Sequence, residues 1–421
     1  MTEIASPTAP HILMASMPAA GHVYPHLEVI RALVAAGYRV TYLIGAGFKE
    51  VVEATGADFL GYDSAFPRLG GATKAVDDSA GAAPELAADL QKLNPALGMV
   101  FMANDTAAML PVLKELFESD RPDLVLFGSG APAAGIFAEK MGAPAVAMVP
   151  AFASWDGAEA EMLKRMGGVD MSDPRLLEAK ERLQQSLDGY GLGEFSHRIG
   201  FNSSPDQALV FIPEALQPHP EKVDRSVYHF AGAAISDSQS DADWDLPSGQ
   251  KIMLISLGST FTRNVPFYRA CLEAFGGLAG WHVVLQIGPL TTVEELGEIP
   301  ANVEVNHWLP QVAILKRADV FLTHAGMGGS REGLALGVPM IAAPQAVDQF
   351  QNADSLVAAG VAVKVDGFEV TAAELRAALA AVQQPAIRER SREIAREMAE
   401  QDGVRFSLEF IASLLADKVA V

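Results

Sequence analysis

The residues with the clearest chemical potential lie between Asn306 and Asn352. There an apolar run, Val320 to Thr323, turns sharply through His324-Ala325-Gly326-Met327-Gly328-Gly329-Ser330 into a helical pattern. A strand, a glycine-rich turn and a helix N-terminus make a cradle for phosphate. Backbone N–H groups point outward there, and the helix dipole favours negative charge. An aromatic residue, Trp308, opens the stretch, and the polar pair Asp348-Gln349 closes it. A second reactive group sits near the start of the chain. His22 follows the run His11 to Met17 in a glycine-bearing turn. An imidazole titrates near neutrality and can take a proton from a hydroxyl. His26 lies four residues further on. Two histidines without a third ligand make a poor metal site, so His26 reads as pocket lining or helix surface, and no metal is expected.

Composition limits the partners. The formal net charge of −21 argues against nucleic acid or an anionic membrane, both of which call for a basic surface. A local phosphate site built from backbone dipoles is compatible with an acidic protein. The single cysteine, Cys271, allows no disulfide within the chain and no cysteine metal site, which fits a reducing cytoplasm. No apolar run approaches the roughly 18 residues of a membrane span, and the N-terminus lacks the pattern of a signal peptide. A monomer or a homodimer is expected.

The elements that position these residues follow from periodicity. A chain of 421 residues predicts two domains. Strand and helix patterns alternate from His11 to Ile212 and restart at Lys251, which argues two parallel sheets with helices on both faces. Residues 217–250 are rich in Pro, Ser and Asp and read as the linker. The predicted order is therefore a domain over 1–216, the linker, a second domain over 251–386, and two amphipathic helices over 387–421. Ala208 to Ile212 is expected as the last strand of the first half, and residues 155–204 as a helical insertion over the end of its sheet. Met99, Phe101, Met102 and Met109 form an apolar patch suited to a greasy ligand. Ligands of open α/β sheets sit beyond the carboxyl ends of the strands, so two such domains place two ligands across one cleft. That arrangement suits transfer of a carried group to an acceptor.

The ordered set WxPQ, THAGMGGSxEG and PQxxDQ, with ISLGSTFT and PAAGHVYPHLEVIRALVAAGYRVTY earlier, resembles the family 1 glycosyltransferases of the GT-B fold, and most closely the bacterial macrolide glycosyltransferases. The resemblance covers nearly the whole chain. It implies two Rossmann-like domains facing across a cleft, the first holding the acceptor and the second a nucleotide sugar, with the tail helices crossing back to the first. It implies that Trp308 stacks on the base, that Gln311 bonds base or ribose, and that Glu332, at the start of a helix, accepts the ribose hydroxyls. His324, Gly326, Gly328, Gly329 and Ser330 match the diphosphate segment, and Gly258 and Ser259 match a second phosphate loop. Asp348 and Gln349 match the pair that holds the sugar hydroxyls; an acceptor beside a donor-and-acceptor suits a polyol. His22 matches the general base, with Tyr24, His26, Met99 and Met102 bordering the acceptor pocket. The implied reaction is inverting transfer of a hexose, glucose from UDP-glucose, to a hydrophobic macrolide or phenol, without cofactor.

One position departs from the pattern. Relatives place an Asp after the fourth strand to orient the histidine, where this chain has Gly128-Ser129-Gly130. Ser129 and Asp105 are the candidate substitutes. Alternatively the acceptor is acidic enough to need little help from a base, or the protein is a non-catalytic accessory that binds a nucleotide sugar. Relatives also carry Asn at the position of Tyr24 and a small residue at that of His26, both beside the acceptor.

Overall fold

The computed structural model describes residues 9–66, 96–165, 170–198, 205–232, 244–259, 262–346 and 348–419. Two parallel sheets organise it. The first contains β1 (His11–Ala15), β2 (Arg39–Gly45), β3 (Asp58–Tyr62), β4 (Leu124–Gly128), β5 (Ala145–Val149), β6 (Ala208–Val210) and β7 (Tyr228–Phe230), in the spatial order β3-β2-β1-β4-β5-β6-β7. The second contains β8 (Lys251–Ser256), β9 (Trp281–Gln286), β10 (Val303–Asn306), β11 (Val320–Thr323), β12 (Met340–Ala342) and β13 (Ala362–Lys364), in the order β10-β9-β8-β11-β12-β13.

The strands read as unbroken apolar runs because both faces of each sheet are covered. Successive side chains point to opposite faces. Ile12, Met14, Val40, Tyr42 and Ile44 pack with helices Leu27–Ala35 and Gly403–Val419. Leu13, Ala15, Leu43 and Val125 pack with helices Ala96–Ser119, Pro132–Met141 and Pro174–Gly189. In the second sheet Met253 and Ile255 face helices Val265–Phe275 and Ala372–Val382. Ile252 and Leu254 face Met327–Ala335, Gln349–Ala358 and Pro385–Gln401. This last core also takes in Val210, Ile212 and Leu216 from the first half, so the two halves share buried apolar surface.

Strand order reverses between β1 and β4 in one sheet and between β8 and β11 in the other. A crevice opens at such a switch point, where the chains leave the sheet in opposite directions. Ala15 is level with Phe127, and Ser256 with Thr323. The loops after β1 and β4, and those after β8 and β11, therefore emerge side by side.

Several expectations need correction. Tyr228–Phe230 lies within the predicted linker, yet it pairs with β6 and is the last strand of the first sheet. Three residues carrying a histidine give too short an apolar run to be read as a strand. Helix Pro174–Gly189 lies alongside Ala96–Ser119, as part of the layer over one face of the sheet and not across its end. Helix Ala96–Ser119 is long and apolar enough to cross a membrane by length and composition, which the sequence reading did not anticipate. Here it buries Met109, Leu110, Leu113 and Phe117 in the first core. Of the tail helices, Pro385–Gln401 packs on the second half through Ile394 and Met398, and Gly403–Val419 on the first through Ile411 and Leu415. The loop expected over 63–82 falls mostly outside the described residues, as does 233–243 of the linker.

Candidate active site

Beyond β11 the chain must reverse within three residues. Ala325 adopts φ +60°, a left-handed conformation that side chains seldom accept. Its N–H donates to Thr323 Oγ1 at 3.2 Å, and its carbonyl accepts from Asn352 Nδ2 at 3.0 Å. Gly326 then starts helix Met327–Ala335, whose first internal bond runs from the N–H of Ser330 to the Gly326 carbonyl at 2.9 Å. The N–H groups of Met327, Gly328 and Gly329 precede that bond and are available to an anion. No atom lies within 4 Å of where a Cβ on Gly328 would stand.

The loop after β8 closes this cradle from the side. A Cβ on Gly258 would lie 2.5 Å from His324 Cε1, and one on Gly326 would lie 2.3 Å from His324 Nε2. The imidazole is thus clasped between two glycines, one of them, Gly258, at φ +78°. Burial lowers the His324 pKa to about 4, so the ring is neutral, and its Nδ1 has no partner. Ser330 Oγ is likewise buried and unpaired. Such orphaned groups around open backbone N–H donors fit a diphosphate. Ser259 is exposed beside Gly258.

Trp308 precedes the cradle and is 66% exposed. Gln311 begins helix Gln311–Leu315 and donates from Nε2 to Glu332 Oε2 at 2.6 Å. Glu332 sits in the second turn of its helix, not at the start as expected. Burial raises its pKa, opposed by the Gln311 bond and by Arg331. Asp348 is exposed and accepts from Asn352 Nδ2 at 2.9 Å. Gln349 departs from expectation. Its Oε1 accepts the N–H groups of Gln345 (2.8 Å) and Ala346 (3.0 Å), so towards a ligand this side chain can only donate.

In the first half His22 occupies a short helix, Ala20–Val23, at the end of β1. Ser16 Oγ holds its carbonyl at 3.0 Å. The ring is half-buried, Nδ1 is enclosed without a partner, and burial lowers the pKa to about 4. Neither proposed substitute orients it. Asp105 accepts from Tyr62 Oη (2.7 Å), Ser64 Oγ (2.5 Å) and the Ala65 N–H (2.9 Å), and so fastens the end of β3. Ser129 is exposed and makes no hydrogen bond to His22. A Cβ on Gly128 would lie 3.1 Å from Ser16 Oγ, beside the hydroxyl that anchors His22. One on Gly130 would collide with Met17 Sδ at 2.3 Å, so Met17 fills the space there.

His26 is not on the helix surface. It is fully buried with its ring edge-on to Phe211 at 5.3 Å, and neither nitrogen has a partner. Tyr24 is half-buried against the first core. Met99 and Met102 lie half-buried on the opening turns of Ala96–Ser119, where Phe101 meets Phe66 at 6.2 Å. Among the described residues no group of three His, Cys, Asp or Glu is arranged to hold a metal ion. Ser16, Met17, Arg331 and Asn352 were missed in the sequence. Met17, Arg331 and Asn352 act on residues distant along the chain, whereas Ser16 acts on His22 within the turn after β1, and only Asn352 had a signal, its i+4 spacing from Asp348.

Comparison with known proteins shows the family. Oleandomycin glycosyltransferase of Streptomyces antibioticus is 44% identical over 97% of this chain and 91% of its own length. The chain is a family 1 glycosyltransferase. NDP-glycosyltransferase YjiC of Bacillus licheniformis is 30% identical, covering 96% of this chain and 98% of its own. The glycosyltransferase of kitacinnamycin superposes with a TM-score of 0.83 at 36% identity, over 97% of this chain and all of that one. The model of the erythromycin biosynthesis protein CIII-like C-terminal domain matches residues 274–404. The two parallel α/β halves of this glycosyltransferase are the GT-B fold.

Proposed function

We propose that this glycosyltransferase moves glucose from UDP-glucose to an oxygen of a hydrophobic natural product, with inversion. The observation that supports this most is the row formed by Trp308, the Gln311–Glu332 pair, the cradle at Gly326–Ser330 and Asp348. Its members follow the order base, ribose, diphosphate, sugar. The first half, with His22, holds the acceptor, and the second holds the donor. His22 takes the proton of the acceptor hydroxyl through the ring nitrogen that faces the cleft. The oxygen attacks the anomeric carbon, the bond to the diphosphate breaks, and the electron pair leaves with UDP. The neutral His324 and the free N–H groups of the cradle stabilise the leaving phosphate. A single displacement inverts the anomeric centre. The names of the two relatives, which state an antibiotic and a nucleoside-diphosphate donor, support both halves of the reading.

Incubation with UDP-glucose or dTDP-glucose and a panel of macrolides and phenols, followed by mass spectrometry and the anomeric proton coupling, tests this. A β-glucoside formed from UDP-glucose is expected. Failure to bind UDP by calorimetry overturns it. The unpaired Nδ1 of His22 supports a second reading, in which the protein binds a nucleotide sugar without turnover. His22→Ala separates the two: an enzyme loses most of its rate and keeps its UDP affinity, whereas an accessory protein has no rate to lose.

A further inference from the structure

Arg331 stands between Ser330 and Glu332, both placed at the donor, but its side chain leaves in another direction. It is 6% exposed. Its Nη1 donates at 3.4 Å to the carbonyl of Phe211, just past β6 of the first sheet, so it spans the two halves. Its Nε is buried and has no partner. The neighbouring carboxylate, Glu332, is held by Gln311. The ring of Phe211 packs edge-on against His26, which is wholly buried with both nitrogens unpaired. The charged or titratable groups that act on His26 are His22, on its own turn, and Arg331, from the donor helix. Glu28 and Arg31 of the following helix pair with each other. Together with burial, these neighbours lower the His26 pKa to about 3, which keeps the ring neutral and able to accept.

An unpaired buried donor from one half and an unpaired buried acceptor from the other thus meet at one residue. Leaving both unmade is costly, and pairing them relieves two orphans at once. We propose that Arg331 is a positioning residue for the transfer: bound to Phe211 and, on closure of the cleft, to His26, it ties the turn carrying His22 to the helix carrying the donor. This rests on the glycosyl-transfer reading above. Arg331 touches neither reactant; it acts through His26 on where His22 stands when the sugar is in place.

The experiment compares wild type with Arg331→Met, which keeps length and loses charge, and Arg331→Lys, which keeps charge and one donor. Three quantities are read: UDP affinity by calorimetry, kcat with UDP-glucose and a phenol, and the titration of labelled histidines by NMR. In Arg331→Met, UDP affinity stays within about twofold, because the side chain points away from the cradle, while kcat falls by about tenfold or more. The His26 resonance titrates at higher pH, since a nearby cation has been removed. Arg331→Lys returns that titration towards wild type and recovers part of kcat. An unchanged His26 titration with unchanged kcat overturns the proposal. A loss of UDP affinity equal to the loss of rate also overturns it, by making Arg331 a donor ligand. If Arg331→Met does not fold, Arg331→Lys carries the test, and wild-type kcat in that variant overturns the paired geometry. Absence of any turnover in the wild type would sink the transfer reading alone, because the titration and the UDP affinity decide the Arg331–His26 pairing without it.

Discussion

His22 is a half-buried imidazole that no carboxylate among the described residues orients, and two consequences follow at the residue scale. The first is a pH profile. Burial holds the pKa at about 4, against 6.5 for an ordinary histidine. The neutral ring is the form that takes a proton, so activity is present above that pKa and lost as the pH falls through it. kcat/KM with a phenolic acceptor is expected to stay flat from about pH 8 to about pH 5 and to halve near 4. Steady-state rates across that range check it, and a midpoint near 6.5 would mean the ring is solvated in the working enzyme. The second consequence concerns Gly128, which has no left-handed backbone to forbid a side chain. Its Cβ position borders Ser16 Oγ at 3.1 Å. In Gly128→Asp a carboxylate beside the His22 anchor favours the imidazolium and fixes the tautomer. The rate with an alcohol acceptor should rise by about tenfold, within the range of general-base assistance. The acid limb should move upward in the same variant. A lower rate with UDP affinity intact would show that position 128 must stay small for the acceptor.

At the scale of elements, the strand, turn and helix after Val320 were largely legible. A strand, a turn carrying Gly326, Gly328 and Gly329, and a helix N-terminus follow from residue type alone, and the clasp of Gly258 and Gly326 around His324 gives those glycines a steric reason. What stayed hidden were the partners. Asp105 serves the end of β3, some 40 residues earlier in the chain, and Gln349 spends its oxygen on the loop before its own helix. Hydrogen-bond accounts of this kind close only in three dimensions. Asn352 is the most consequential of them. Its amide donates to the Ala325 carbonyl and to Asp348, so it couples the left-handed turn after β11 to the carboxylate proposed to hold the sugar. Asn352→Ala leaves a buried carbonyl unpaired, a loss of about 1–3 kcal/mol. It also frees Asp348 to swing. The KM for UDP-glucose should therefore rise several-fold more than the Kd for UDP, because the change falls on the sugar and not the nucleotide. Equal changes in the two would place the defect in the phosphate turn instead.

Across the whole molecule, two α/β halves could be read from the restart of strand and helix patterns after a Pro- and Asp-rich stretch. The return of the chain could be expected from the resemblance but not located. Two crossings between the halves lie side by side. Gln401 Nε2 donates to the Phe230 carbonyl, and a Cβ on Gly403 would stand 2.4 Å from the Ala231 carbonyl. Asp402 between them is left-handed, at φ +42°, so the chain reverses there with little room to spare. The strand β7, which the sequence hid inside the linker, therefore supplies one wall of the place where the tail crosses back to the first half. Gly403→Ala puts a methyl against backbone that cannot rotate away, so one crossing must shift relative to the other. The donor row lies wholly in the second half, and UDP affinity should stay within about twofold. The distance from His22 to the sugar depends on how the halves meet, and misplacement of reacting groups by about 1 Å can cost about 10²-fold. The variant is expected to lose kcat by about tenfold or more while binding UDP normally. Calorimetry beside single-turnover rates decides this. A variant with wild-type kcat would show that the contact at Ala231 yields without moving the halves, and would leave their spacing to the other crossing, before Lys251.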